Sequence, residues 1–449
     1  MKRALIPVIT NKMKFWKNWN IKTRLWAIFV FAMLCRLAFI IPWGNSISVP
    51  YRDQNVYYML GRAIVEDGYL GTPEDPYVGP YIEFRENNPP PLGAIPEYRQ
   101  RIIDRWDNQK FYYGVVEWGK PTAFYEPIYP LFTAASYAIF GDRFLYPRLI
   151  LAIISSFTCI IVFRIGRMLF NDNVGYIAAL LCAVYPYFIF YTAYLMSETF
   201  AIFFMTLSML YFFKLRENPG WKNGIIFGLM LGLAFLTRSI VLGVIPLLLL
   251  YLLIDNYRKQ TVSVLAVMAA LTIAISPWII RNFLVFDQFV LLSSRGGYNI
   301  WMRNNPYFYE DELRAYGEKV PQHILDNIQY REFLEFPEMS PDMKEIERNK
   351  YLTAEGIKFL RMNPELFFYL NWFRFKTLIG LSGVLSSGIV YMMLGLFSFG
   401  FILPLGIISF IYHRRRFWDL LPLAIVWLYF IGVYTLTHDG LRYRLPADP

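Results

Sequence analysis

The sequence predicts an all-α, polytopic membrane protein, and three observations lead to this fold class. Of the 449 residues, 56% are hydrophobic and only 17% are charged, which is far more apolar than a soluble chain of this length usually is. The apolar residues form runs of about 15 to 25, which suit helices that cross a bilayer. Lys and Arg gather at the ends of these runs, so the net charge of +10 reflects membrane topology and does not predict nucleic-acid binding.

The first run predicts the orientation of the chain. Residues 1–24 carry seven Lys or Arg and no acid, and an apolar stretch from Leu25 to Trp43 follows. The positive-inside rule places this basic segment in the cytoplasm. No small-residue cleavage pattern follows the run, so we interpret it as a retained first span and not as a removed signal peptide.

The remaining runs bring the predicted number of spans to about nine. They fall near residues 147–164, 174–191, 199–213, 223–237, 240–254, 262–281, 387–411 and 418–436. The apolar segment from Pro127 to Phe140 is excluded, because a helix of about 14 residues reaches only ~21 Å against a hydrocarbon core of ~30 Å. Counting it as a span would also turn most of the basic loops outward, so we expect an interfacial or re-entrant helix.

Four regions follow from this topology. A basic cytoplasmic segment (1–24) precedes a transmembrane core (25–281), which includes a first extracytoplasmic loop (44–146). A second extracytoplasmic segment (282–386) and C-terminal spans (387–449) follow. The protein is therefore expected in the plasma or inner membrane, as a multi-pass protein whose functional site faces outward.

The two extracytoplasmic segments are rich in Pro, Tyr and Trp and contain no low-complexity run, so we expect them to fold as a compact cap against the membrane. An amphipathic pattern predicts a helix over residues 343–361. Cys35, Cys159 and Cys182 all fall in apolar runs without metal-site spacing, and packing is the simplest role for them.

Two carboxylates are predicted at the outer face. Asp53 begins a helical run that ends at a glycine, Gly68, and it could either cap that helix, worth ~1 kcal/mol, or serve as a general base, worth ~10²–10⁴ in rate. Glu198 lies where the third span ends and the fourth begins. It could stabilise the start of the fourth helix, or it could join Asp53 in holding a divalent cation such as magnesium, manganese or zinc.

Four basic residues are candidates for binding a lipid phosphate. Lys120 precedes the short interfacial helix, where a snorkelling lysine is the alternative. Arg238 interrupts apolar sequence close to bilayer depth, where an arginine costs roughly 2.5–3.5 kcal/mol and usually has a partner or a water-filled site. Arg442 and Arg444 follow the last span on the outer side, against the positive-inside trend.

Soluble nucleotide and hydrolase chemistry finds no support, because the chain contains no Gly-rich phosphate loop, no His-Glu-x-x-His and no Gly-x-Ser-x-Gly. A series of landmarks, each weak alone, becomes specific in combination. In chain order they are Asp53, Lys120-Pro121, the Tyr-Glu-Pro-Ile-Tyr-Pro stretch at 125–130, Ser197-Glu198, Leu236-Thr237-Arg238, the segments 277–282 and 294–301, and Asn304-Asn305-Pro306. In this order they resemble the GT-C membrane glycosyltransferases, most of all glycosyltransferase family 39, the dolichyl-phosphate-mannose protein mannosyltransferase and aminoarabinose transferase group.

The resemblance implies a GT-C fold with juxtamembrane helices in the first external loop, and a polyprenyl-phosphate-linked sugar as donor. It implies that Asp53 is the catalytic carboxylate, that Lys120 and an arginine of 442–444 hold the donor phosphate, and that Glu198 contributes to the site or its metal. Two features depart from the family pattern. Gln54 replaces the second acid of the first motif, and the sequence stops at Pro449, where similar proteins continue.

From these observations the expected function is an inverting transfer of the sugar, by single displacement, to a protein, lipid or glycan acceptor on the extracytoplasmic side. A transporter or flippase of lipid-linked saccharides is the main alternative, although it would need charged or broken helices near mid-membrane, and the sequence shows few. A non-catalytic scaffold, in which both carboxylates are helix caps, is a third possibility. The sequence identifies neither the sugar nor the acceptor.

Overall fold

The computed structural model describes residues 19–44, 52–72, 110–111, 116–117, 119–304, 321, 323–324, 339–340, 342–379, 400–437 and 444–449. Within them, the first eight α-helices are α1 (Ile21–Ile40), α2 (Arg52–Glu66), α3 (Ile128–Phe140), α4 (Leu145–Leu169), α5 (Asp172–Val184), α6 (Pro186–Ala193), α7 (Glu198–Glu217) and α8 (Trp221–Thr237). The remaining α-helices are α9 (Val244–Phe286), α10 (Arg295–Arg303), α11 (Glu345–Met362), α12 (Pro364–Leu378), α13 (Phe401–Tyr412) and α14 (Phe417–Thr437). An antiparallel pair, β1 (Lys110–Phe111) and β2 (Val116–Glu117), is an addition that the sequence did not predict.

The predominantly helical, polytopic character agrees with the sequence prediction. Five of the described helical segments are long and apolar enough to cross a membrane, or six if the bent pair α5 and α6, which meet at 45°, forms one span. The described residues therefore do not reproduce the count of nine. The apolar helices α8 and α13 fall below span length, and much of the predicted span 387–411 lies outside the described residues.

Two predicted spans, near 240–254 and 262–281, merge into the 43-residue helix α9. A straight helix of this length would reach ~65 Å, about twice the hydrocarbon core. Asn256 breaks it, because its φ of −162° and ψ of 81° are not helical. The break coincides with the basic loop that the charge pattern predicted, so the two arms of α9 correspond to the two predicted spans.

Small residues allow α8 to pack closely on the second arm of α9. Gly224, Gly228 and Gly232 recur every four residues along one face of α8. A Cβ at Gly228 would lie 2.4 Å from the carbonyl oxygen of Val267, and one at Gly232 would lie 2.5 Å from the Cβ of Ala274. Larger side chains would separate these helices and shift the end of α8, which borders the site described below.

The predicted helix that begins at Asp53 is confirmed as α2, which starts at Arg52 and ends two residues before Gly68, a glycine with a φ of +78°. The short helix predicted at 127–140 is confirmed as α3, and the amphipathic helix at 343–361 as α11. Helix α2 lies directly on α3, since a Cβ at Gly61 would come within 2.6 Å of Thr133 Oγ1. Thr133 Oγ1 also donates to the carbonyl of Tyr57 at 2.8 Å, which fixes α2 against the helix bundle.

The described part of the second extracytoplasmic segment contacts the first. Arg348 of α11 is buried and forms an ion pair with Glu117 of β2. Glu345, at the start of α11, accepts a hydrogen bond from the backbone N–H of Ala123 at 2.9 Å. These contacts hold α11 against the first extracytoplasmic segment.

Candidate functional site

A cavity of about 300 Å³ opens where several helices end, and its volume is at the lower limit of typical ligand pockets, roughly 300–1,000 Å³. It lies between α2, the start of α7, the end of α8, helix α10 and the end of α14. Its polar or charged lining residues are Tyr57, Glu126, Ser197, Glu198, Arg238, Ser239, Ser293, Arg295, Asn299, Tyr434 and Thr437. The predicted topology places these helix ends at the outer face of the membrane.

A buried ion pair forms one wall of the cavity. Arg238 Nη2 donates to Glu198 Oε1 at 2.6 Å, and the two side chains are 12% and 0% exposed. The second oxygen, Glu198 Oε2, is buried and accepts no hydrogen bond from the residues that the structure describes. A buried charge is expensive unless it is paired, so each residue explains the burial of the other.

Breaks in the helices bring these two side chains together. At Arg238 the backbone leaves α8 in an extended conformation, with φ −150° and ψ 108°, and enters a short 3₁₀ helix, Ser239–Gly243. The Ser239 N–H, which the break leaves without a helical partner, donates to Glu126 Oε1 at 3.0 Å. Glu198 occupies the first turn of α7, where the helix dipole favours an acid, so its carboxylate combines that placement with the ion pair.

The non-helical link between α6 and α7 is connected to α2. Gln54 is 4% exposed, and its Oε1 accepts a hydrogen bond from the N–H of Leu195 at 3.1 Å. One turn further along α2, Tyr57 donates from its hydroxyl to Ser197 Oγ at 3.2 Å. Two bonds therefore set the position of α2 relative to the start of α7.

Asp53 lies in the first turn of α2, four residues before Tyr57, which lines the cavity. Residues four apart share one face of a helix. The Asp53 side chain lies outside the part of the chain that the structure describes, so the predicted catalytic role stays a prediction, supported by the position of its backbone.

Arg295 begins α10 and is a cavity residue that sequence reasoning did not assign. Its guanidinium lies 4.8 Å from the ring centre of Tyr125 and 5.7 Å from that of Phe124, within the range of cation–π contacts. The preceding residue, Ser294, donates from its backbone N–H to the carbonyl of Ala123 at 2.9 Å. The segment 294–301, which contains Arg295, was one of the landmarks of the family resemblance, but the sequence analysis gave this arginine no role.

A half-buried glutamate, Glu345, supports this corner of the cavity. Glu345 Oε1 accepts hydrogen bonds from Ser294 Oγ and from the Ala123 N–H. Burial raises the pKa of Glu345 above its ordinary value, while these donors and nearby Arg281 act in the opposite direction. Glu345 therefore joins the segment before α3 to the start of α10.

The other predicted phosphate ligands are placed differently. Lys120 is exposed and is not among the residues that line the cavity. Arg444 is 1% exposed, donates to Asp448 Oδ1 at 3.1 Å and donates to the carbonyl of Leu378. Arg442 lies outside the described residues, so the phosphate-binding roles of these three residues stay predictions.

The predicted divalent cation stays a prediction, because the Asp53 side chain, which would share it with Glu198, lies outside the part of the chain that the structure describes. No group of three or more His, Cys, Asp or Glu side chains suited to a metal occurs among the described residues. Glu198 already has a guanidinium on one oxygen, which leaves a single oxygen and places a positive charge beside any added cation. The residue roles proposed below therefore do not depend on a metal.

Comparison with known proteins bears directly on this site. Curated proteins gave no significant match to the chain. The model of the family described as dolichyl-phosphate-mannose-protein mannosyltransferase matches residues 120–280, a segment that contains Glu126, Glu198 and Arg238. This segment is about a third of the chain, and over it the predicted resemblance to glycosyltransferase family 39 is confirmed. The segment is similar to membrane glycosyltransferases of the mannosyltransferase type.

Proposed function

We propose that this protein is an integral-membrane glycosyltransferase that moves a sugar from a polyprenyl-phosphate-linked donor to an acceptor on the extracytoplasmic side. The observation that carries the proposal is the cavity at the helix ends, where Glu198 and Arg238 form a buried ion pair beside Arg295. A lipid phosphate needs cations near the membrane surface, and a sugar needs hydrogen-bonding groups next to them. The family match over residues 120–280 supports the same class of reaction.

In the proposed reaction, Asp53 accepts the proton of an acceptor hydroxyl while that oxygen attacks the anomeric carbon. The bond from the anomeric carbon to the phosphate oxygen breaks with its electron pair, and polyprenyl phosphate leaves. A single displacement of this kind inverts the anomeric configuration. Arg238 and Arg295 would stabilise the charge that grows on the departing phosphate, and preorganised cations in a partly dry site are effective in that role.

A reconstituted assay tests this proposal. The purified protein in liposomes is given a panel of radiolabelled polyprenyl-phosphate sugars, with solubilised membranes that lack the protein as the source of acceptors. Asp53→Asn is expected to lower transfer by ~10²–10⁴-fold while the melting temperature stays unchanged. Transfer at a normal rate by a well-folded Asp53→Asn variant would show that the base is another group.

A matched control is available in Asp172, whose carboxylate forms an ion pair with Arg167 at 2.9 Å, both side chains being nearly half exposed. Such surface pairs contribute little, about 0–1 kcal/mol, so Asp172→Asn should retain full transfer. Movement of labelled lipid across the bilayer without any glycosidic product would instead favour a flippase.

A further inference from the structure

The unsatisfied oxygen of Glu198 points to a ligand contact. The side chain is fully buried, lines the cavity, and uses Oε1 for Arg238. Its Oε2 accepts no hydrogen bond within the described structure, although buried carboxylate oxygens almost always do. Leaving such an acceptor unmade costs free energy, so a bound group that donates a hydrogen bond there would be favoured.

The surroundings of Oε2 define the chemistry of that group. Arg238 neutralises the carboxylate, so a second cation would be repelled by the guanidinium, whereas a neutral O–H donor would not. The residues that line the cavity also include Ser197, Ser239 and Asn299, whose side chains carry hydroxyl and amide groups. Several small polar groups around one cavity suit a ligand that carries several hydroxyls, as a sugar ring does.

We propose that Glu198 is a sugar-binding, specificity-determining residue, whose Oε2 accepts a hydrogen bond from a hydroxyl of the transferred sugar. This inference rests on the proposed function for its ligand, a lipid-linked sugar, but not on the chemical step. It is an alternative to the metal-binding role predicted from sequence, and it gives Arg238 a second role, since the ion pair also holds the Glu198 carboxylate in position.

Binding of donor analogues tests this assignment without requiring turnover. The probes are polyprenyl-phosphate mannose, glucose and 4-amino-4-deoxyarabinose, with bare polyprenyl phosphate as the reference lipid. The sugar lipid that binds most tightly is then prepared as a set of monodeoxy analogues, each lacking one hydroxyl. Dissociation constants are measured for the wild-type protein, Glu198→Ala and Glu198→Gln in detergent.

One deoxy analogue is expected to bind the wild-type protein ~10–100-fold more weakly than the parent sugar lipid, the loss expected when a hydrogen bond to a charged group is removed. In Glu198→Ala, the same analogue should bind less than ~3-fold more weakly than the parent sugar lipid. Comparing donors within each protein removes any general effect of the substitution on Arg238. Glu198→Gln retains an oxygen that can accept a hydrogen bond from Arg238, so it can be measured even if Glu198→Ala does not fold. It should show an intermediate loss.

Three results would overturn the assignment. In the first, sugar lipids bind no more tightly than the bare lipid. In the second, every deoxy analogue loses affinity by the same factor in all three proteins. In the third, wild-type binding depends on added magnesium, manganese or zinc. Failure of the proposed function gives a different pattern: the deoxy effect would persist at Glu198 while no sugar is transferred to any acceptor.

Discussion

Replacing Gln54 by methionine tests whether the position of α2 affects sugar transfer beyond its effect on the stability of the helix bundle. The Oε1 of Gln54 accepts a hydrogen bond from the backbone N–H of Leu195 at 3.1 Å. Leu195 lies in the non-helical link between α6 and α7, where no helical carbonyl accepts from this N–H. Methionine has a similar length but cannot accept that bond effectively. A buried donor left unsatisfied costs about 1–3 kcal/mol, so the apparent melting temperature should fall measurably.

The effect on transfer should exceed the effect on stability. Asp53 directly precedes Gln54 in the first turn of α2, so this hydrogen bond sets the distance between the predicted base and the start of α7. Misplacement of a catalytic group by about 1 Å can cost ~10²-fold in rate. We expect a ~10–100-fold loss of transfer for Gln54→Met in the reconstituted assay.

Gln260 provides the matched control. It is also a buried glutamine, and its Nε2 donates to the carbonyl of Leu215 at 3.3 Å. That carbonyl cannot receive the usual helical bond, because residue 219, four positions on, is a proline without an N–H. Gln260→Met should therefore destabilise the protein to a similar degree, at a site that does not line the cavity.

The comparison of the two variants gives a clear decision. Equal melting temperatures with transfer lost only in Gln54→Met would support a positioning role. Equal loss of transfer in both variants would mean that activity follows stability alone, and the reasoning about Gln54 would be refuted.

Substitutions at three further positions test the site. Arg295→Lys retains the charge but loses the cation–π contact of the guanidinium with Tyr125, so transfer should fall ~3–30-fold, and Arg295→Ala should lower it further. Wild-type rates in both variants would remove Arg295 from the site. If the cavity holds the donor phosphate, Lys120→Ala should lower the transfer rate less than Arg295→Ala does. A larger loss in Lys120→Ala would support the phosphate-binding role predicted for Lys120 from sequence. Burial raises the pKa of Glu345 above 4.5, so the folded protein binds the proton of this carboxyl more tightly than the unfolded protein does. The free energy of unfolding should therefore fall as the pH rises from 4.5 through the higher pKa of the folded state. Thermal scans of Glu345→Gln at the same pH values should lack this fall.

Local sequence signals predicted the elements around the site well. The helix that begins near Asp53, the short helix α3 and the amphipathic helix α11 were all visible as hydrophobic patterns with recognisable ends. Each depends on contiguous residues, so a pattern of 10 to 20 residues, roughly three to five turns, contains the information needed. The break at Asn256 was likewise anticipated by the charges that follow it.

Partnerships across the chain could not be predicted in the same way. The sequence placed Glu198 and Arg238 at the outer face. It left Glu198 between a metal and a helix start, and it predicted a phosphate or an unidentified partner for Arg238. Their 2.6 Å ion pair depends on the extended backbone at Arg238 and on the turn before α7, neither of which has a specific sequence signal. Arg295 was missed for the same reason, since its place in the cavity is set by contacts with Phe124 and Tyr125.

The ion pair also changes how charge must move in the proposed reaction. The described charged residues that line the cavity are Glu126, Glu198, Arg238 and Arg295, two acids and two bases, so their formal charges cancel. The donor phosphate and Asp53 each begin with one negative charge. After transfer, Asp53 is neutral and the departing phosphate carries two, so one negative charge has moved from α2 towards the arginines. Since the total is unchanged, catalysis requires cations fixed where the charge arrives, which is the position that Arg238 and Arg295 occupy in this proposal.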